Sequence, residues 1–362
     1  MAGNSFGTLF RLTTYGESHG PSIGGIIEGV PAGIALTEAD IQKDLDLRKP
    51  GGGDTQSPRK EADRIRVQSG LFQGHTTGTA LAFLIENTNQ HSNDYDELAR
   101  VFRPSHADWS YHQKYHGFRD YRGGGRASGR ETAARVAAGA VAGLILQQHG
   151  IRVFAASIAL GGIWIAPKDR DCAGSLGRKY FAASSDVIPL WDQCVHDARQ
   201  QHETLGGVVQ IEAKGVPAGL GEPVFDKLSA TLAHALMSVG AVKGVEIGEG
   251  FGAADLCGSA NNDSLLPPTQ DSGVRFASNH AGGIVGGIST GQDIVVRCAV
   301  KPIASIPKPQ QTIDIDGNPC TITIGGRHDL SAIPRIVPVL KAMTQIALCD
   351  ALLVHEHVQN SL

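Results

Sequence analysis

Residues 123–141 read GGGRASGRETAARVAAGAV, and the chain runs on through AGLILQQHG to Gly150. Ser128 and Glu131 have the S-x-x-E spacing of a capping box, which opens a helix. Gly150 supplies its C-terminal stop. Alanine and glycine occupy all sides of the segment between them, so this helix has no solvent face and packs closely among neighbours. The three glycines in front bring bare N–H groups to the positive end of a helix dipole, an arrangement suited to phosphate.

Outward from this helix, helical spacing predicts 38–48 with Thr37 as cap, 224–239 and 333–357. The second carries Phe225, Leu228, Leu232, Leu236 and Val239 on one side; the third carries Ile336, Leu340, Met343, Ala347 and Leu353. Period-two patterning marks strands at 64–69, 207–213, 293–300, 312–316 and 321–324. Asp316-Gly317-Asn318, flanked by alternating isoleucines, reads as a hairpin turn. Short turns between strands favour antiparallel sheet, and block-wise helices and strands favour an α+β layering. No G-x-G-x-x-G opens a βαβ unit, which argues against a Rossmann site. Residues 163–205 are the least patterned and read as a helical insertion or surface segment. No repeat or linker divides the chain, so 1–362 is read as one domain.

The chain has 362 residues, 41% hydrophobic and 19% charged, with 46 glycines. That composition excludes a disordered polyelectrolyte, and the glycine share implies many tight turns. A net charge of −4 argues against a general nucleic-acid binder. The six cysteines form no C-x-x-C and read as reduced thiols. The N-terminus lacks a signal-peptide pattern, and the longest clean apolar run, Val136 to Leu146, is too short to span a bilayer. A cytoplasmic protein without a membrane partner is expected.

Against the acidic whole, residues 100–135 hold eight arginines and lysines and three acids, interleaved with Tyr111, Tyr115, Phe118 and Tyr121. The run is either a solvated basic face or a polyanion site. Three histidine or aspartate motifs accompany it. His19 lies between Gly16 and Gly20, either as an acid–base group or as a hydrogen-bonded turn residue. His106 lies in Phe102–Asp108, with Asp108 near enough to orient it. Asp329, in Gly326-Arg327-His328-Asp329, either belongs to a site or caps the last helix. His112 and His116 have i, i+4 spacing, but no H-E-x-x-H accompanies them and no metal is expected. From the residues alone, the reading is an enzyme that binds a polyanion and carries histidine acid–base groups.

Taken in order along the chain, GESHGPSIGGIIEGVPAG (16–33), FRPSHAD (102–108), GGGRASGRETAARVAAGAV (123–141), VPAGLGEPVFDKL (216–228), VKGVEIGEGF (242–251), SNHAGGIVGGISTGQ (278–292) and GRHDLSAIPRIVPVLKAM (326–343) resemble the chorismate synthase family. Each stretch is weak alone; their shared order over nearly the full length is specific. The resemblance implies a β-α-β sandwich with central helices bracketed by antiparallel sheets. It implies a lyase of aromatic amino-acid biosynthesis that converts 5-enolpyruvylshikimate 3-phosphate to chorismate and phosphate. This 1,4-anti elimination uses reduced FMN (FMNH2) without net redox change, in a homotetramer. NADPH enters only as a source of reducing equivalents.

By motif, His19 resembles the histidine that acts near the flavin, His106 the histidine on the leaving-phosphate side, and Asp329 the aspartate that helps the flavin accept the C6 hydrogen. Arg48 falls in a stretch that contacts substrate or nicotinamide nucleotide. Arg126, Ala127, Ser128, Gly240, Ala241, Gly286, Lys301, Pro302, Ile303, Ala304, Ser305 and Arg327 match flavin-contacting segments. Arg130 and Arg335 are candidate substrate-anion contacts. The sequence departs from the family pattern at Asp54, where a basic residue is frequent and where Arg59 or Lys60 could substitute. It departs also at Ala127, at Leu330-Ser331 and at Lys341. A flavin or bifunctional NADPH:FMN reductase, and a non-catalytic flavin or polyanion binder, are the competing readings.

Overall fold

The computed structural model describes residues 3–49, 55, 62–87, 99–268, 274–325 and 328–359. Its helices are α1 (Glu38–Arg48), α2 (Asp108–Lys114), α3 (Thr132–Gln148), α4 (Ile188–Gln200), α5 (Leu228–Met237), α6 (Gly258–Asn261) and α7 (Ile333–Gln359). A first antiparallel sheet places Ser5–Phe6, Arg11–Tyr15, Ser22–Glu28, Leu81–Glu86 and Ile65–Ser69 side by side. A second places Val242–Ile247, Ile294–Val300, Gly207–Lys214, Arg152–Leu160 and Ile163–Trp164 side by side. Period-two alternation decides which way each strand faces: Ile23 and Ile27 are buried, while Ile26 between them is exposed.

The helices fill the space between the sheets. α3 runs along α7 and also packs on strand Ser22–Glu28; α7 covers strands Arg152–Leu160 and Gly207–Lys214. This is the β-α-β sandwich expected above. The small residues of α3 permit it. A Cβ on Gly139 would lie 2.3 Å from the Cβ of Ala342 on α7, so the two backbones meet where a methyl group has no room. α7 is long and apolar enough to cross a membrane by composition alone, but 83% of its most apolar window is buried between the two sheets.

Several boundaries differ from expectation for local reasons. α3 begins at Thr132, because Ser128 to Glu131 form a tighter turn. Ser128 Oγ accepts from the Arg130 N–H at 3.3 Å, and Glu131 turns to Arg135 rather than closing the capping box. α5 begins at Leu228, not 224. Glu222 N–H closes a turn on the Asp226 carbonyl, which leaves Phe225 outside the helix and 90% exposed. The hairpin strands are Pro309–Ile313 and Pro319–Thr323, because the Asp314 carboxylate gathers the N–H groups of Asp316 and Asn318 into the turn. Residues 163–205 carry α4 and bury Trp191 and Val195 in the core.

One buried carboxylate joins the two chain ends. Asp350 on α7 accepts N–H groups from Thr8, Leu9 and Phe10 at 2.9, 2.7 and 2.9 Å. Burial nevertheless raises its pKa, because three N–H groups do not replace full hydration.

Candidate active site

A cleft of about 1600 Å³ opens beside α3 and the N-terminal half of α7. It takes residues from the turn after Arg11–Tyr15, the 103–135 segment, the Gly240–Ala241 corner, residues 301–305 and the entry to α7. Eight arginines and lysines line it against three acids. His19, His106, Asp329, Arg48, Arg126, Ala127, Ser128, Arg130, Gly240, Ala241, Lys301, Pro302, Ile303, Ala304, Ser305 and Arg335 all lie on its wall. Gly286 does not; it sits in the turn between strands Ile284–Val285 and Ile288–Ser289. Asp54, Arg59, Lys60 and Arg327 lie outside the described residues.

His19 is buried against the glycine loop. A Cβ on Gly123 would lie 2.2 Å from its Cε1, and Gly123 has φ +57, so only glycine suits this approach. Ser18 Oγ stands 3.2 Å from His19 Nδ1 and within 3.4 Å of the Arg122 and Gly123 carbonyls. Arg126 braces the same loop. Its guanidinium donates to the Gly16 carbonyl at 3.1 Å and to Thr14 Oγ1 at 2.7 Å.

His106 is held differently from the expectation. Asp108 does not orient it; that carboxylate grips Arg103 Nε and Nη2 at 2.7 and 2.8 Å. A planar guanidinium two hydrogen bonds wide outcompetes a single imidazole N–H for one carboxylate. Burial works against the Asp108 charge, but Arg103 holds its pKa below the usual value. His106 Nδ1 instead lies 2.9 Å from the Pro104 carbonyl, and Nε2 lies 2.9 Å from Ser305 Oγ. A carbonyl only accepts, so Nδ1 carries the proton, and in the neutral ring Nε2 accepts from Ser305. Burial and the charge of Arg103 push the His106 pKa down to about 4. The unfolded chain then binds more protons between pH 4 and 6.5, so this group's contribution to stability is complete above 6.5 and is lost as pH falls towards 4. His106→Gln is expected to flatten the pH dependence of the urea midpoint in that window. Parallel curves for variant and parent would overturn the assignment.

Arg48 and Arg130 are anchored by one acid that sequence reading overlooked. Asp63 is 2% exposed; its Oδ2 accepts from Arg48 at 2.7 Å, and its Oδ1 pairs with Arg130. Burial raises the Asp63 pKa, but the two guanidinium groups more than offset this and hold it below 3.8. Burial likewise lowers the Arg48 pKa. Arg130 also reaches Asn87 Oδ1 at 2.9 Å, and Asn87 Nδ2 donates to the Glu17 and Gly20 carbonyls on either side of His19. Asn87 is thus a second residue whose role sequence reading missed. Asp329 does not cap α7. Ser331 Oγ accepts the Ile333 N–H, and Asp329 Oδ2 pairs with Arg335 at 2.8 Å. The basic run divides. Arg100 pairs with Asp316 and Arg122 with Asp120, while Arg103, Lys114, Arg126, Arg130 and Arg135 line the cleft.

A family profile described as chorismate synthase matches residues 10–353. A chorismate synthase from Desulfovibrio desulfuricans is 62% identical over 360 residues, covering 99% of both chains. One from Nitratidesulfovibrio vulgaris is 59% identical over 359 residues, again covering 99% of both. A crystal structure of a chorismate synthase superposes with a TM-score of 0.75 at 30% identity, over 96% of this chain and 93% of that one. Matched along its length in sequence and in fold, this chain belongs to the chorismate synthase family, lyases of the shikimate pathway.

Proposed function

We propose that the cleft binds 5-enolpyruvylshikimate 3-phosphate beside reduced FMN and eliminates phosphate to give chorismate. The observation that carries this reading is the excess of cations in one cleft that also holds His19, His106 and Asp329. The substrate brings two carboxylates and a phosphate, and the flavin brings a phosphate of its own. A volume of about 1600 Å³ exceeds the roughly 300–1,000 Å³ of a site for one drug-sized ligand, so two ligands fit side by side.

The residues suit a flavin nucleotide. A Cβ at Gly124 would meet only Arg103 Nη2, at 3.9 Å, and nothing stands within 4 Å of a Cβ at Gly240, so both leave the cleft open to a ligand. The glycine loop, Gly240–Ala241 and 301–305 would hold it, as the family resemblance implies. When bound, reduced flavin supplies electron density that assists loss of the allylic phosphate.

The chain's own groups do the rest. Arg48 and Arg130 enter the cleft already fixed by Asp63, so little side-chain order is lost when an anion arrives. His106 is neutral when the cleft holds no anion. A phosphate dianion beside Nε2 opposes the effect of Arg103, favours a proton there, and lets His106 give that proton to the departing phosphate oxygen. His19, pinned by the glycine loop, is placed to exchange a proton on the flavin side. Arg335 orients Asp329 towards the position from which the C6 hydrogen leaves. The overall reaction breaks one C–O and one C–H bond and forms one C=C bond without net redox change. We further propose a cytoplasmic homotetramer as the working form.

The test is purified protein with 5-enolpyruvylshikimate 3-phosphate and photoreduced FMN in the absence of oxygen. Equal release of chorismate and phosphate, with reduced FMN only, is expected. FMN binding without release would overturn the reading in favour of a binder. In a separate aerobic assay with added oxidised FMN, NADPH oxidation above the free-flavin blank would point to a reductase.

A further inference from the structure

A second cavity of about 250 Å³ lies apart from the cleft, between the C-terminal ends of α1 and α3, strand Arg152–Leu160 and the first half of α7. Its walls include Leu47, Leu146, Ile151, Phe154, Phe181 and Val337. An apolar cavity of about 150 Å³ already accommodates a benzene ring, so this one has room for a ring and a small polar head.

Two polar features complete it. Gln345 lines the cavity, is 6% exposed, and its Oε1 has no hydrogen-bond partner among the described residues. A buried amide oxygen left unpaired costs free energy that a ligand donor would recover. Gly143 leaves space for that amide: a Cβ there would lie 2.4 Å from Gln345 Nε2. At the rim, Lys341 Nζ and Asp44 Oδ1 stand 3.5 Å apart, a loose and partly exposed pair of opposite charges. Lys341 is one of the positions where the sequence departs from the family pattern, and the cleft makes no use of it.

We infer that this cavity binds one aromatic amino acid: the ring enters between the apolar walls, a ring N–H or O–H donates to Gln345, and the zwitterionic head takes Lys341 and Asp44 as its partners. The inference does not depend on the elimination reaction. α1 and α7 each show one side to this cavity and another to the cleft. Asp44 and Leu47 face the cavity while Arg48 faces the cleft; Val337 and Lys341 face the cavity while Arg335 faces the cleft. A ligand here therefore braces the helices that carry two of the cleft's arginines.

Titration calorimetry of the full chain with L-tryptophan, L-tyrosine and L-phenylalanine tests this. Tryptophan and tyrosine are expected to bind about tenfold more tightly than phenylalanine, which lacks the ring donor. Gln345→Leu is expected to remove that difference, and Lys341→Gln to weaken all three about tenfold. Ala173→Trp, at an exposed position on the mouth, is expected to abolish binding while leaving phosphate release unchanged. Absence of saturation at millimolar ligand would overturn the inference. So would undiminished binding to Ala173→Trp, or equal affinity for all three amino acids. If Gln345→Leu fails to fold, the exposed Ala173 and rim Lys341 variants still decide.

Discussion

Asp63→Ala is expected to lower the unfolding free energy by about 3–5 kcal/mol, the cost of stranding buried charge. The residue joins two guanidinium groups that are themselves almost fully enclosed: Arg48 is 1% and Arg130 8% exposed. Removing the acid leaves two like charges in a low-dielectric pocket, which repel one another and cannot both be rehydrated. Asp63→Asn keeps the shape and loses the charge, so it should fall between parent and alanine variant. The native pKa of Asp63 lies below 3.8, so its stabilisation is fully present above that value and disappears as pH drops through the native pKa. Urea midpoints at neutral pH measure the effect. A loss under about 1 kcal/mol for Asp63→Ala would mean that the two arginines find other partners and that the pairing is incidental.

His106→Ala is expected to reduce kcat/KM for elimination by about 10²- to 10⁴-fold, the usual contribution of one acid–base group. FMN affinity should change little, because the imidazole is assigned to the substrate side. Ser305→Ala keeps the ring and removes the hydroxyl that Nε2 accepts from, so its loss should be smaller and should appear as a shift of the alkaline limb of the pH–rate profile, where the general acid loses its proton. Steady-state rates with reduced FMN across pH 5–9 distinguish the two. Full turnover by His106→Ala would remove it from the chemistry.

Much of the architecture was legible because its signals are local. α3 and α7 carry long apolar patterns with recognisable ends, and the Asp316-Gly317-Asn318 turn is fixed within five residues. The site was legible only partly, and largely through family resemblance rather than spacing. Asp63 lies in the unremarkable stretch EADRIR, and its importance comes from Arg48 and Arg130, 15 and 67 residues away. Asp108 illustrates the opposite error. It is two residues from His106 and five from Arg103, yet it chooses the arginine. Proximity along a loop does not decide a contact when one partner offers two charge-assisted hydrogen bonds and the other only one. The basic run 100–135 could not be divided between solvated face and polyanion site because a sequence shows no pairing; Arg100 and Arg122 each have an acid of their own, Asp316 and Asp120, and do not line the cleft.

The Asp350 clasp also sets an order of events during synthesis. Its carboxylate closes on the N–H groups of residues 8–10 across a sequence separation of 340. Chains grow at about 5–20 residues per second, so the opening strands wait on the order of tens of seconds before their partner leaves the ribosome. Throughout that interval the edge of the first sheet is without its anchor, and the sheet is a candidate for capture by chaperones. The last turns of translation therefore act as the latch of the whole fold, and truncations near the C-terminus should surface first as disorder at the opposite end of the chain.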